Sequence, residues 1–403
     1  MISPTAKHIF AATLAVWVLA LATPPSALAA KPKSAAVKGA DTDAAPCESV
    51  DFVRDGRDKT VEGRIIIEAG DGGVLLEAAD GMLWTIERNE LQHRTKLDTP
   101  FKPLSQAELS EKLVSELPAG FRTYTTAHYV VVHNTSRNYA QWASSLLERL
   151  YKAFTNYWEG QGIEVHQPEF PLPVFLFSSR QEYEQASRDD LPNGTGNIIG
   201  FYSLRSNRVN MFDLTGLEAV RSPSSHGSIR EINAMLSQPA AVPLVATVVH
   251  EATHQIAFNC GLQQRYADIP LWLCEGMAVY FEAPDLASAR GWRGIGRVNY
   301  PRLETFQKNI GNWNENTLEG MLRDSQRFRN PRTAIDAYAD AWALNYYLIK
   351  YEPKAYTEYL KALAEKPPLV EDTPAERLEE FRKHFGDLRR LEQGFLKQMG
   401  RVK

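Results

Sequence analysis

The stretch Val248-Val249-His250-Glu251-Ala252-Thr253-His254, followed by Leu271-Trp272-Leu273-Cys274-Glu275-Gly276-Met277-Ala278-Val279-Tyr280-Phe281-Glu282, decides how this chain is read. The first segment lies in a strong helix pattern. Pro243 suits a first turn, the interior is rich in Ala and Val, and Gly261 follows the last turn. Residues four apart share a helix face, so His250 and His254 aim two imidazoles at one point. Glu251 is one step round the helix, near enough to reach a water beside an ion there without ligating the ion. A catalytic zinc takes three protein ligands, keeps one position for water and lowers that water's pKa to about 7. A carboxylate beside the water accepts its proton as it attacks a carbonyl.

H-E-x-x-H is short enough to arise by chance, so the second segment carries much of the weight. Asp268 is an N-cap candidate there and Pro270 fits the first turn. The helix that follows is apolar almost throughout, yet Glu275 stands in its middle. A glutamate among Leu, Met, Val and Phe loses hydration energy unless it is paired or binds a metal. The distance from His254 allows a turn and an antiparallel return. One zinc per chain, held by His250, His254 and Glu275 with Glu251 as general base, accounts for both segments together.

Outward from this centre the chain divides into five parts. Lys7 and His8 precede an apolar run from Ile9 to Ala22, and Ala27-Leu28-Ala29 supplies a cleavage pattern, so residues 1–29 read as a signal peptide. The run is short for a bilayer span and no second apolar stretch of that kind follows, so the expected mature chain is exported, periplasmic or secreted, without a transmembrane segment. Residues 30–46 read as a flexible linker. Residues 47–95 read as a small all-β, SH3-like barrel, with turns at Asp71-Gly72-Gly73 and Asp80-Gly81. Residues 96–120 read as a polar connector with one short helix. Residues 121–403 form the main domain: strands at Tyr129–Val132 and Pro173–Phe177, an amphipathic helix over Asn138–Trp158, a hairpin over 198–213, and mostly helix from Pro243 onward. Strands followed by a run of helices predict an α+β fold, a mixed sheet leading into a helical lobe.

The net charge of −4 argues against a nucleic-acid partner, and three cysteines exclude a metal site built from four. Export would place Cys260 and Cys274 in an oxidising compartment, where a disulfide could tie the two motif helices together.

H-E-x-x-H followed by W-L-x-E-G-x-A-x-Y-x-E resembles the gluzincin clan of zinc metallopeptidases. It is also similar to a family of exported, gluzincin-like bacterial proteins of unknown function, through His-Glu-Ala-Thr-His, Pro-Leu-Trp-Leu-x-Glu-Gly and Gly-Trp-Arg-Gly-Ile-Gly. The resemblance covers roughly residues 120–350 and is specific across 248–300. It implies His250, His254 and Glu275 as zinc ligands and Glu251 as general base. Where some gluzincins carry an Asp that orients a ligand histidine, this chain has Val279, and the aminopeptidases' G-x-M-E-N strand is absent. The 198–213 hairpin is the candidate edge strand for a substrate backbone. The helix opening at Tyr338 resembles a gluzincin helix whose tyrosine faces the metal, which implies Tyr338 as oxyanion donor. Tyr346, Tyr347 and Tyr300 are its rivals, and Arg293 and Arg297 are candidates for a substrate carboxylate.

The expected function is an exported zinc peptidase acting on peptide or protein substrates. The alternative is a zinc-containing, inactive domain that binds protein or cell-envelope partners. A hydrolase of non-peptide amides is a third reading.

Overall fold

A computed structural model describes residues 46–192, 194–196, 198–217, 227–283, 286 and 292–403. The segment read as a signal peptide lies outside the described residues, as does the linker up to residue 45.

The N-terminal module is a five-stranded antiparallel sheet of order β4-β3-β2-β1-β5. Its strands are β1 (Pro46–Arg54), β2 (Arg57–Glu68), β3 (Val74–Ala78), β4 (Leu83–Ile86) and β5 (Leu91–Pro100). The first half of β2 pairs with β1 and the second half with β3, so the meander changes partner at Gly63. A Cβ there would stand 2.2 Å from the Glu77 carbonyl oxygen, so only glycine fits. Val50, Phe52, Val74, Leu76 and Ile86 form the small core. β5 corrects the expected boundary at residue 95. The strand is mostly exposed and lacks an apolar alternation, and ion pairs from Arg94 to Glu48 (2.9 Å) and Glu68 (2.7 Å) help hold it.

After helix α1 (Gln106–Ser115) comes a second, mixed sheet of order β6-β7-β8-β10-β9. It comprises β6 (Arg122–Thr125), β7 (Tyr129–His133), β8 (Leu172–Phe177), β9 (Gly200–Tyr202) and β10 (Val209–Phe212). β7, β8 and β10 run parallel, and β9 closes one edge antiparallel to β10. Helices α2 (Arg137–Gly160) and α3 (Arg180–Ala186) flank β8 in the chain. Successive strand residues face opposite sides. Val131, Val174, Leu176, Tyr202, Val209 and Met211 therefore join the main core with α2, while Val130, Val132, Phe175, Phe177, Phe201 and Phe212 meet α1 and α3.

The remainder is helical: α4 (Ile229–Leu236), α5 (Val242–Asn259), α6 (Leu271–Phe281), α7 (Tyr300–Asn309), α8 (Thr317–Arg323), α9 (Gln326–Arg329), α10 (Ala334–Tyr351), α11 (Pro353–Ala364), α12 (Pro374–Phe385) and α13 (Leu388–Met399). α5 packs between α2, α6 and the β9–β10 hairpin, and α6 lies between α5 and α10. Every residue of α6 is buried, which is why its sequence shows no polar face. None of the described helices is long and apolar enough to cross a membrane.

Asp268 does not cap α6. Pro270 occupies the cap position, and the Asp268 carboxylate instead takes a bidentate pair from Arg377 (2.7 and 2.9 Å). Cys260 and Cys274 are both free, so the disulfide considered for them is not formed. Their sulfurs have separate partners: Cys260 Sγ lies 3.9 Å from Ala257 O and Cys274 Sγ 3.6 Å from Gln263 Oε1.

Candidate metal centre

One helical turn on α5 brings His250 and His254 side by side, their rings 4.8 Å apart and nearly perpendicular. α6 delivers Glu275 to the same point. His250 Nε2 lies 3.1 Å from Glu275 Oε2, His254 Nε2 lies 3.7 Å from that oxygen, and the two Nε2 atoms are 3.2 Å apart. Ligand atoms at 2.0–2.1 Å from one tetrahedral centre stand about 3.3 Å from each other. Among the described residues, these three form the cluster of metal-binding type. Glu275 Oε1 is buried without a hydrogen-bond partner, a costly state for a carboxylate oxygen and one that a cation relieves. The donor set, two imidazoles and a carboxylate, thus fits a divalent metal ion.

The electrostatics agree. Burial opposes ionisation of Glu275, but His254 and His250 outweigh it and bring the carboxyl down to about 2. Burial also disfavours a charged His250, yet hydrogen bonds to Glu275 and Glu282 raise it to about 10. His254 is lowered, chiefly by burial. Burial, assisted by the Glu275 charge, raises Glu251 to about 8.

Glu282 is a member that the sequence reading missed. Its Oε2 lies 3.2 Å from His250 Nδ1, and Asn299 Nδ2 donates to its Oε1 at 2.7 Å. A carboxylate on Nδ1 fixes the tautomer that leaves Nε2 free to ligate. It fills the orienting role for which position 279 offers only Val. The available signal was a second glutamate two turns beyond Glu275, at the C-cap of α6.

Glu251 reaches the edge strand, where its Oε2 accepts the Tyr202 N–H at 2.8 Å. The expected edge strand is therefore β9, and this N–H already has a partner. Tyr338 is 2% exposed, packs edge-on against Phe328 and lies beneath Arg302 at 5.6 Å. Burial, together with the charges of Glu275 and Glu251, holds its phenol well above the usual 10. Its rivals are elsewhere engaged. Tyr346 accepts from Lys350 at 2.6 Å, Tyr347 packs on Phe395, and Tyr300 is 63% exposed. Arg293 and Arg297 are exposed, whereas His250, Glu251, His254, Glu275 and Tyr338 are all buried.

α6 approaches α10 at Gly276, where a Cβ would stand 2.0 Å from Asn345 Nδ2 and 2.4 Å from Ala341 O. That close approach packs the helix carrying Glu275 against the helix carrying Tyr338.

Residues 244–370 match a family described as a protein of unknown function (DUF1570), a span that includes every side chain of the centre. No curated protein matches the chain.

Proposed function

We propose that this protein is an exported, gluzincin-like zinc hydrolase that cleaves peptide bonds. The observation that carries the reading is the pairing of a three-ligand cluster with a carboxylate beside it that ligates nothing and is held separately by Tyr202. His250, His254 and Glu275 would hold zinc, which supplies Lewis acidity and a water of lowered pKa. With the cation's charge opposing the burial that raises it, Glu251 would be ionised and accept the proton of the attacking water, one oxygen fixed by the Tyr202 N–H and the other free. It then returns a proton to the leaving amine. Tyr338 stays protonated at neutral pH and donates to the carbonyl oxygen as negative charge develops there. The signal-peptide pattern at residues 1–29 supports export.

A second reading, a metal-holding domain without turnover that binds protein or cell-envelope partners, draws on the depth of the centre, none of whose five side chains is more than 4% exposed. The deciding experiment is incubation of the purified mature chain with a diverse peptide library, with and without chelator, beside Glu251→Gln. The peptidase reading expects chelator-sensitive cleavage, and a Glu251→Gln variant that retains zinc but loses about 10²–10⁴-fold in rate. Zinc-loaded wild-type protein that cuts nothing supports the binding domain instead.

A further inference from the structure

Tyr202, which holds Glu251, belongs to a hairpin that is itself tied down on two sides. On one side α5 grips the turn. Gln255 Nε2 donates to Asn207 O (2.8 Å), and the side chains of Asn207 and Asn259 pair reciprocally (2.8 and 2.7 Å). The Tyr202 hydroxyl joins the same group by donating to Asn207 Oδ1 at 2.8 Å.

The other side is the N-terminal sheet. Leu83 N on β4 donates to Arg205 O in the hairpin turn at 2.8 Å. Arg265 bridges the same junction. Its Nη1 donates to Gly81 O in the module (2.7 Å) and to Leu204 O in the hairpin (3.3 Å), while Nη2 meets Glu77 Oε1 (2.8 Å). The other Glu77 oxygen accepts two bonds from Arg64 (2.9 and 2.5 Å), and Arg64 also pairs with Glu169 (2.7 and 2.6 Å). Arg64, Glu77 and Arg265 are only 9, 7 and 8% exposed. Buried charges persist only when their partners are well placed, and breaking one such pair leaves the other charge stranded. A guanidinium can reach three acceptors in fixed directions at once, which an ammonium cannot do with the same geometry. Arg265 also stands in the connector between α5, with both histidines, and α6, with Glu275.

We infer that Arg265 is a positioning residue, through which the docked N-terminal sheet sets the hairpin so that the Tyr202 N–H meets Glu251. The sheet is then a working part of the site rather than a spacer. The catalytic consequence rests on Glu251 acting as base, as proposed above, but the positioning itself does not.

The test measures hydrogen exchange on the zinc-loaded mature chain, with Arg265→Lys and Arg265→Met beside wild type. Amide exchange in peptides covering 200–204 should quicken about tenfold or more, while zinc stays at one per chain and amides within 242–259 keep their rates. If the wild type cleaves peptides, kcat should fall about tenfold with KM within about twofold. Arg94→Ala, which removes ion pairs inside the module only, should leave the 200–204 exchange and kcat unchanged. Unaltered 200–204 exchange in zinc-retaining Arg265 variants overturns the inference, even if they melt earlier. Should Arg265→Met fail to fold, Arg265→Lys decides by the same measurement. A wild type without peptidase activity would count against the proposed function alone, since the exchange result reads positioning without turnover.

Discussion

Glu282 and His250 are joined at 3.2 Å through Nδ1, while the opposite nitrogen of the same ring faces Glu275 at 3.1 Å. The imidazole is therefore held at both ends, with one nitrogen oriented and the other presented. Glu282→Gln should keep the fold and weaken zinc binding about 10–100-fold, the usual cost of losing such a partner. Glu275→Ala should lose the metal far more completely. Competition with a chromophoric chelator measures both, and equal zinc affinity in Glu282→Gln and wild type would remove Glu282 from the centre.

The pH dependence follows from His250. Its ordinary value is about 6.5, and in the metal-free fold Glu275 and Glu282 raise it to about 10 despite burial. Protonated His250 thus stabilises the metal-free fold fully below about 6.5, and that contribution is lost as pH rises through about 10. Metal must displace the proton, so zinc affinity should rise with pH over this window, by up to about tenfold per unit. Thermal shifts at a buffered free zinc concentration should accordingly grow from pH 6 to pH 9. A shift independent of pH would mean that His250 is already neutral.

Tyr338→Phe retains the ring that packs on Phe328 and under Arg302 and removes only the hydroxyl. Zinc content and KM should hold, and kcat should fall about 10²–10³-fold, as for loss of an oxyanion donor. A lower melting temperature with kcat intact would make Tyr338 a packing residue.

Gly276→Ala places a methyl group against Asn345 and the Ala341 carbonyl. Overpacking of this kind costs about 1–3 kcal/mol, and since part of the obstacle is backbone the upper end is expected. Urea unfolding of the zinc-loaded variant measures it, and a midpoint matching wild type would show that the helices part easily.

The features legible in the sequence were those whose side chains obey a spacing. His250 and His254 share a face by their separation, and Glu275 stood out because its helix is otherwise apolar. Glu282 was visible as a residue but not as a role, because an orienting partner is defined by which imidazole nitrogen it meets. Tyr202 contributes a main-chain N–H that any residue but proline offers, so its identity carries no signal. β5 is stabilised in part by ions across the sheet rather than by an apolar pattern. Asp268 had the chemistry of a cap, but Arg377, 109 positions away, took it. The thiols of Cys260 and Cys274 are near in sequence, and nothing in the spacing shows that each sulfur meets a different neighbour.

Glu77 and Arg265 meet across 188 positions of chain, whereas His250 and Glu275 are 25 apart. Contacts between distant positions form later than local ones. Pulse-labelled refolding should accordingly protect amides of α5 and α6 before that of Leu83, and the reverse order would contradict this sequence of events. On this ordering a refolding chain gathers His250, His254 and Glu275 before Arg265 fixes the hairpin, so that metal uptake and the setting of Glu251 are separated in time.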